Sequence, residues 1–334
     1  MKLSQIGEEA LIERLVREHQ LPKSGPGLVV GVGDDAAVLE VGCTPGELTL
    51  VTTDMLTEGM DFLPEWITPY QLGWKSVAAN ISDIAAMGGE PTWTFASIGL
   101  RPDTEVEFVD DLYRGMTDCA GKFGSALIGG DTNSVRGDAV MSITQMGRVD
   151  RDHLALRSRA KVGDRILVTG WLGDSRGGLE LLLKYGIDEA TRLSERLVNA
   201  HLMPMPRVHE ARMIGGLVDA MMDISDGLGA DLPKLCKASG VGALVYADRL
   251  PISDDLKRIA GILGVDVVEL AASGGEEFEL LMAVDPKHAE GVIEDVQKNT
   301  GTKLTDIGEI VEGLVEIEQN GTRRPIQGGW EHFH

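Results

Sequence analysis

The sequence predicts two α+β domains in one chain of 334 residues. Three observations lead there. Strand-like and helix-like runs follow the order β, β, β, α, β, α, β, β over about the first 148 residues. A polar segment over 150–159 then interrupts the pattern, and alternation of strands and helices restarts near Asp164. The length is also ample for two cores. The expected division is a unit over 1–148, with a mixed sheet carrying helices on one face, and an α/β unit over 149–334.

Each element has a local reason. Residues 8–19 place Leu11, Ile12, Leu15 and Val16 at helical spacing and stop before Pro22. After a loop at Gly25, Pro26 and Gly27, strands are predicted over 28–32, 37–41 and 48–53, the last delivering Asp54 at its C-terminal end. Thr68, Pro69 and Gln71 form a capping box with proline in the first turn, so a helix runs from there to Met87, where Gly88 and Gly89 stop it. A strand over 92–100 follows, then a helix opened by a second capping box, Thr104 with Glu107, and ending near Phe123. A strand over 125–128 running into GGDT and a closing strand over 139–149 complete the first unit.

In the second unit a strand over 166–169 enters GWLGDSRGG (170–178) and a helix containing Leu179, Leu182 and Leu183. A strand over 220–224 ends in DISDGLGADL, with a helix reaching Ser239, and alternation continues to Ile317. The glycines after residue 169 read as a tight strand-to-helix connection rather than a phosphate cradle. Neither GxGxxG nor GxxxxGK[ST] occurs, so no dinucleotide or Walker-type site is expected.

With 43% hydrophobic and 25% charged residues the chain reads as globular. A formal net charge of -22 argues against nucleic-acid binding through a basic surface, which needs clustered Lys and Arg to displace counterions. Cys43, Cys119 and Cys236 are scattered, which predicts neither a disulfide framework nor a zinc site and fits a reducing cytoplasm. The N-terminus reaches acidic residues too early for the apolar region of a signal peptide, and no run approaches a membrane span.

The chemistry lies in recurring acidic motifs. GVGDDAA (31–37) reads as a tight, exposed turn, and by itself an Asp pair there is ordinary, since Asp caps turn N–H groups. The recurrence is what matters: TTD (52–54), NISD (80–83), GGDT (129–132) and DISDG (223–227). Asn80 and Asp83 share a helix face, and the small, apolar residues around Asp83 leave its carboxylate in need of a cation. Asp34, Asp35, Asp54, Asp83, Asp131, Asp223 and Asp226 are hard oxygen ligands, with Thr52, Thr53 and Ser225 beside them and no Cys or His. That selects Mg²⁺ or Ca²⁺ over zinc or copper. Several Mg²⁺ ions bridging a polyphosphate use so many carboxylates better than one calcium loop. The expected reaction is phosphoryl transfer onto a charged acceptor, with no nucleophilic side chain.

In order along the chain, GVGDDAAVL, VTTDMLTEGMDF, KSVAANISDIAAMGGEP, IGGDT, LVTGWLGDS, HLMPMPR, DISDGL, SGGEEFEL and GGWEHF resemble the thiamine-monophosphate kinases. Their superfamily also holds aminoimidazole ribonucleotide synthetase, selenophosphate synthetase and a hydrogenase maturation factor. The resemblance implies a homodimer whose N-terminal sheets pair into a barrel, each with a C-terminal α/β sandwich, and transfer of the γ-phosphate of ATP to thiamine monophosphate. It places Mg²⁺ on Asp35, Thr52, Thr53, Asp54, Asp83, Asp131, Asp223 and Asp226, with Asp34 capping the turn within reach of a metal. Catalytic weight falls on Asp35, Asp54, Asp131 and Asp226. ATP contacts fall on Gly130, Asp131, Arg157 and Ser225, and thiamine-side contacts on Asp61, Glu276 and Trp330.

An acceptor phosphate with a second pKa near ~6 is largely dianionic at neutral pH, so direct in-line attack needs no general base. Arg157 is suited to offsetting γ-phosphate charge. Trp330 either stacks on the cationic ring or anchors the tail. Asp61 departs from the pattern, since many relatives carry His there. Two other readings stand beside this one: another ATP-dependent enzyme of the superfamily, or a non-catalytic metal- or nucleotide-binding protein. Cys43 follows the acidic turn and the chain ends in His334, which lowers the options that need a reactive cysteine in an N-terminal glycine-rich loop or at the C-terminus.

Overall fold

The computed structural model describes residues 5, 7–18, 20, 22–41 and 44–332. His19, Cys43 and the last two residues of the chain, including His334, lie outside the described residues. The first half runs α1 (Gly7–Glu18), β1 (Leu28–Val30), β2 (Ala37–Leu39), β3 (Glu47–Thr57), α2 (Pro69–Ala86), β4 (Glu90–Leu100), α3 (Val106–Lys122), β5 (Ala126–Ser134) and β6 (Val140–Asp150). The second half runs β7 (Arg165–Thr169), α4 (Asp174–Leu202), α5 (Val208–Ile214), β8 (Ala220–Ile224), α6 (Leu228–Ser239), β9 (Gly242–Tyr246), α7 (Asp254–Leu263), α8 (Val267–Ser273), β10 (Glu279–Val284), α9 (Pro286–Thr300), β11 (Leu304–Val311), β12 (Val315–Gln319) and β13 (Thr322–Pro325).

The predicted order of strands and helices holds, but several boundaries move. β3 continues past Asp54 to Thr57 because β6 pairs with it along its whole length, so Asp54 sits inside the strand rather than at its end. GGDT likewise lies within β5, which pairs in parallel with β4. The capping box at Thr68 forms as predicted, Thr68 accepting from the Gln71 N–H. The one at Thr104 does not. The cap of α3 is Glu105, whose side chain makes no capping hydrogen bond, so the sequence signature is shifted by one residue from the true helix start.

The six-stranded N-terminal sheet has the order β1-β2-β3-β6-β4-β5 and is open in this chain, so the expected barrel is not closed within it. α2 and α3 cover one face. α2 lies between this sheet and the second half, which is why it is buried almost all round, including Lys75, Ser76, Asn80 and Ser82. Its close contact with α3 is made by glycines: a Cβ on Gly73 would lie 2.0 Å from the Leu112 carbonyl oxygen, and one on Gly115 would lie 1.9 Å from that of Tyr70. At the far side, Trp74 Nε1 donates to the Pro204 carbonyl at 2.8 Å, fixing α2 to the loop that follows α4.

The C-terminal sheet has seven strands, β13-β12-β9-β11-β7-β10-β8, antiparallel except where β12 meets β9. Its middle is buried on both faces, as the unbroken apolar run of β10 requires. Leu280, Met282 and Val284 face a core shared with α4, α9 and the N-terminal helices, while Leu281 and Ala283 face a second core with α6. One apolar core thus runs through both halves and fixes α2 against β8. α4 is interrupted at Gly186 and Ser194, where the backbone leaves helical geometry.

Candidate active site

The acidic motifs meet where α2 crosses β3 and β8. Asp35 follows β1, Asp83 is in the last turns of α2 and Asp223 is in β8. Each offers a carboxylate oxygen within 4.8 Å of the other two. Alternation along β3 turns Thr52 toward α2, where its Oγ1 donates to Asp83 Oδ2 at 2.6 Å. Asn80 steadies the next turn of contact, its Oδ1 accepting from the Asp54 N–H at 3.0 Å. Asp223 is held from across the halves by Ser82 Oγ, which donates to its Oδ2 at 2.6 Å.

GVGDDAA is exposed at Val32 and Gly33 but not at its carboxylates. The Asp34 and Asp35 side chains are only 5% and 2% exposed, because Arg157, from the segment after β6, folds over them. Arg157 Nη2 donates to Asp35 Oδ1 at 2.6 Å, and its backbone N–H lies 3.4 Å from Asp34 Oδ2. The two carboxylates play different parts. Asp34 Oδ1 accepts from the Asp35 N–H at 3.1 Å and closes the turn, while Asp35 joins Asp83 and Asp223.

Burial of so much like charge has an electrostatic signature. The Asp83 and Asp223 carboxyls are pushed well above their ordinary value, first by desolvation; for Asp83 the repulsion comes from Asp54, Asp223 and Asp35, for Asp223 from Asp35 and then Asp231. Asp34 is pushed up to about 7 by burial and then by Asp35. Asp54 keeps solvent access along β3, yet its carboxyl is pushed up to about 6 by desolvation within the cleft and then by Asp226 and Asp35. Three converging carboxylates, all hard oxygen donors and short of positive charge, fit Mg²⁺.

Other predicted residues fall into three places. Asp226 belongs to the loop after β8, where its N–H donates to Asp231 Oδ2 at 2.9 Å and its carboxylate pairs with Lys234. Trp330 reaches the same loop by donating its backbone N–H to the Asp226 carbonyl at 2.9 Å, with a side chain that leaves the residue 47% exposed. In the same loop, the Ser225 carbonyl accepts from the Glu276 N–H at 2.6 Å. Asp61 sits in the turn after β3, where its Oδ2 accepts from the Thr57 N–H at 2.7 Å.

Thr53 and Asp131 are not brought to the acidic group. Thr53 points to the other face of β3, its Oγ1 donating to the Ile143 carbonyl at 2.9 Å, as strand alternation demands. Asp131 is on edge strand β5, separated from β3 by β4 and β6. Gly130 has a structural duty of its own, since a Cβ there would lie 1.8 Å from the Ala96 carbonyl oxygen and break the pairing of β4 with β5.

Sequence reasoning named Arg157 but missed the two lysines of the site. Lys75 is fully buried against Glu276, and Lys234 pairs with Asp231 at 2.9 Å. Lys75 had a signal, as the lone cation on the helix predicted from the Thr68 capping box to Met87. The glycine-rich stretch at 170–178 is a connection, as predicted: Glu277 Oε2 accepts from the Ser175 N–H at 3.2 Å in the first turn of α4, the place a phosphate would need.

The residues 33–149 match the family described as AIR synthase related protein, N-terminal domain, and 161–318 match its C-terminal domain. The thiamine-monophosphate kinase of Aquifex aeolicus is 34% identical over 333 residues, covering 100% of both chains. The chain belongs to the thiamine-monophosphate kinase family. The family's Escherichia coli enzyme is 34% identical over 98% of each chain, and that of Mycobacterium tuberculosis is 35% identical over 99% of this chain and 93% of its own. Among solved structures, AaThiL complexed with AMPPCP and TMP matches with a TM-score of 0.87 at 32% identity, covering 99% of each chain. The Escherichia coli hydrogenase maturation protein HypE, 23% identical with a TM-score of 0.69, shares the fold.

A pH dependence follows for this thiamine-monophosphate kinase family member. Asp54 and Asp34 rise from an ordinary 3.8 to about 6 and about 7 in the fold. The folded chain therefore holds more protons than the unfolded one between these values, and stability without metal falls as pH rises through that window. Magnesium needs the ionised carboxylates. Its rise in melting temperature should be small at pH 5.5 and several-fold larger at pH 8; equal shifts at both would contradict the assignment, read by differential scanning fluorimetry.

Proposed function

We infer that the chain transfers the γ-phosphate of ATP to thiamine monophosphate, giving thiamine diphosphate and ADP. The carrying observation is the convergence of Asp35, Asp83 and Asp223 from three distant segments, in a family whose structural neighbour is complexed with AMPPCP and TMP. Asp35, Asp83 and Asp223 would hold magnesium ions, with Asp54 and the Thr52 hydroxyl beside them, and the bound ions would supply positive charge to the phosphate oxygens.

Phosphoryl transfer asks mainly for positioning and neutralisation. Arg157, already aimed at Asp35, exchanges part of that ion pair for phosphate oxygens when nucleotide enters. Ser225 and Asp226 lie in the loop after β8, and the exposed ring of Trp330, docked on that loop, offers a stacking surface for a cationic ring. Asp61 and Glu276 place negative charge on the thiamine side. The acceptor phosphate attacks in line without a base from the protein.

The active unit in this reading is a cytoplasmic homodimer. The uncovered face and free edge of the N-terminal sheet support it: Met55, Trp93 and Ile128 are 60%, 49% and 52% exposed there. A second copy covering this surface would account for the position of Asp131 and Gly130 on an edge strand, away from the other carboxylates. Residues 1–148 then supply the dimer face and most of the acidic motifs, and 149–334 complete the site with Asp223 and Asp226.

Turnover of MgATP with thiamine monophosphate, thiamine and an aminoimidazole precursor tests the assignment. Product with thiamine monophosphate alone is expected; product only with the precursor would overturn it. The division of labour in the acidic turn is tested by kcat. Asp35→Asn should fall at least ~10²-fold, the scale for losing one group that stabilises developing charge, and Asp34→Asn by much less. Equal losses would refute the division.

A further inference from the structure

Lys75 is the most buried cation near the site, with a side chain 1% exposed, in α2 two turns before Asp83. A charge so placed is tolerated only with a counter-charge held in good geometry. Lys75 has one. Its Nζ lies 2.8 Å from Glu276 Oε2 and 2.8 Å from Oε1, straddling the carboxylate, and 3.5 Å from the Asp61 carbonyl oxygen. The pair joins α2 to the SGGEEFEL turn across 201 positions of sequence.

That turn is held in a conformation most side chains avoid. Glu276 and Phe278 have φ of 56° and 50°, and the turn is pinned to β8 by the Glu276 N–H on the Ser225 carbonyl and the Phe278 N–H on the Ile224 carbonyl, at 2.6 and 2.9 Å. Backbone strain of this kind persists only where surrounding contacts over-determine it. His201 also approaches Glu276, its Nδ1 lying 3.4 Å from Oε2 and 3.2 Å from Ser175 Oγ. Burial and the nearby Lys75 and Arg176 charges keep its ring neutral at neutral pH, so the compensating charge on Glu276 comes from Lys75. The Glu276 side chain remains 28% exposed; burial and then the Asp61 and Asp226 charges push its carboxyl up, and Lys75 is what pulls it back toward the ionised form.

We propose that Lys75 is a positioning residue for the acceptor: by straddling the Glu276 carboxylate it fixes that group, ionised and oriented, where the cationic ring of the acceptor meets it. Lys75 meets the Glu276 carboxylate but only the backbone carbonyl of Asp61, whose carboxylate accepts from the Thr57 N–H, so two carboxylates and one lysine leave a net negative wall suited to a thiazolium-like cation. The inference rests on thiamine monophosphate being the acceptor, and the wild-type assay tests that separately. A wild-type protein with no turnover of thiamine monophosphate overturns the functional reading and this one with it.

The test is steady-state kinetics of Lys75→Met and Lys75→Arg, varying MgATP and thiamine monophosphate in turn. Lys75→Met should raise KM for thiamine monophosphate about 10-fold to 100-fold, the range for losing a hydrogen bond to a charged group, with KM for ATP unchanged and Lys75→Arg recovering most of the loss. KM values for both substrates rising together, or a lower melting temperature with neither KM altered, would show a merely structural role. Should Lys75→Met fail to fold, the pair Glu276→Met and Lys75→Met/Glu276→Met decides, because removing both charges leaves none orphaned. Equal KM for thiamine monophosphate in those two supports action through Glu276; a further rise in the double variant overturns it.

Discussion

Replacing Asp83 by asparagine is expected to lower kcat by about 10³-fold while raising the melting temperature of the magnesium-free protein. Asp83 stands between Asp35, Asp54 and Asp223, and its carboxyl is held well above the ordinary value by desolvation and then by those three neighbours. A carboxyl whose pKa is higher folded than unfolded costs stability once pH exceeds both values, so removing its charge relieves the fold at pH 8. Asparagine keeps an oxygen to accept from Thr52 Oγ1, now 2.6 Å away, so packing survives. The melting temperature should rise by roughly 1–2 °C for each kcal/mol relieved in a chain of this size. The stabilising effect of magnesium should shrink in the same variant. A parallel loss of activity and of metal-free stability would mean that Asp83 is structural; the measurement is kcat beside melting curves with and without Mg²⁺.

Gly115→Val should be the most damaging substitution far from the carboxylates. Even a single Cβ at this position would lie 1.9 Å from the Tyr70 carbonyl oxygen and 3.0 Å from the Trp74 nitrogen. Both neighbours are backbone of α2, so no side chain can rotate away and the helices must separate. Overpacking of this kind costs about 3 kcal/mol or more, which lowers the melting temperature by roughly 4 °C or more. The same displacement moves Ser82 and Asp83 away from Asp223 and β3, so magnesium should stabilise the variant less than the wild type. A variant that melts and responds to magnesium as the wild type does would show that the close α2–α3 approach does not set the site.

What the sequence made legible was local. The strand and helix order, the Thr68 capping box and the acidic motifs all depend on neighbours a few residues apart, and each is present. The second capping box fails because Thr104 and Glu107 satisfy the spacing while the chain enters α3 one residue later, at Glu105. The burial of Asp34 and Asp35 is invisible in the acidic turn itself because Arg157, more than 120 positions away, covers them. Ser82 meets Asp223 across 141 positions and Lys75 meets Glu276 across 201, distances at which spacing carries no information. Adjacency groups Thr53 with Thr52 and Asp54, yet a strand sends adjacent side chains to opposite faces. Asp131 stands three strands from β3 in one chain, and the surface that would bring it closer belongs to a second copy in the proposed dimer.

The claim that this acidic centre drives phosphoryl transfer between two phosphates is tested most directly by ³¹P NMR of the protein with MgATP and thiamine monophosphate. The account predicts loss of the thiamine monophosphate and ATP γ-phosphate signals, matched by thiamine diphosphate and ADP in equal amounts, and no turnover once Mg²⁺ is chelated. Release of inorganic phosphate with thiamine monophosphate left intact, or turnover that survives chelation, would contradict it.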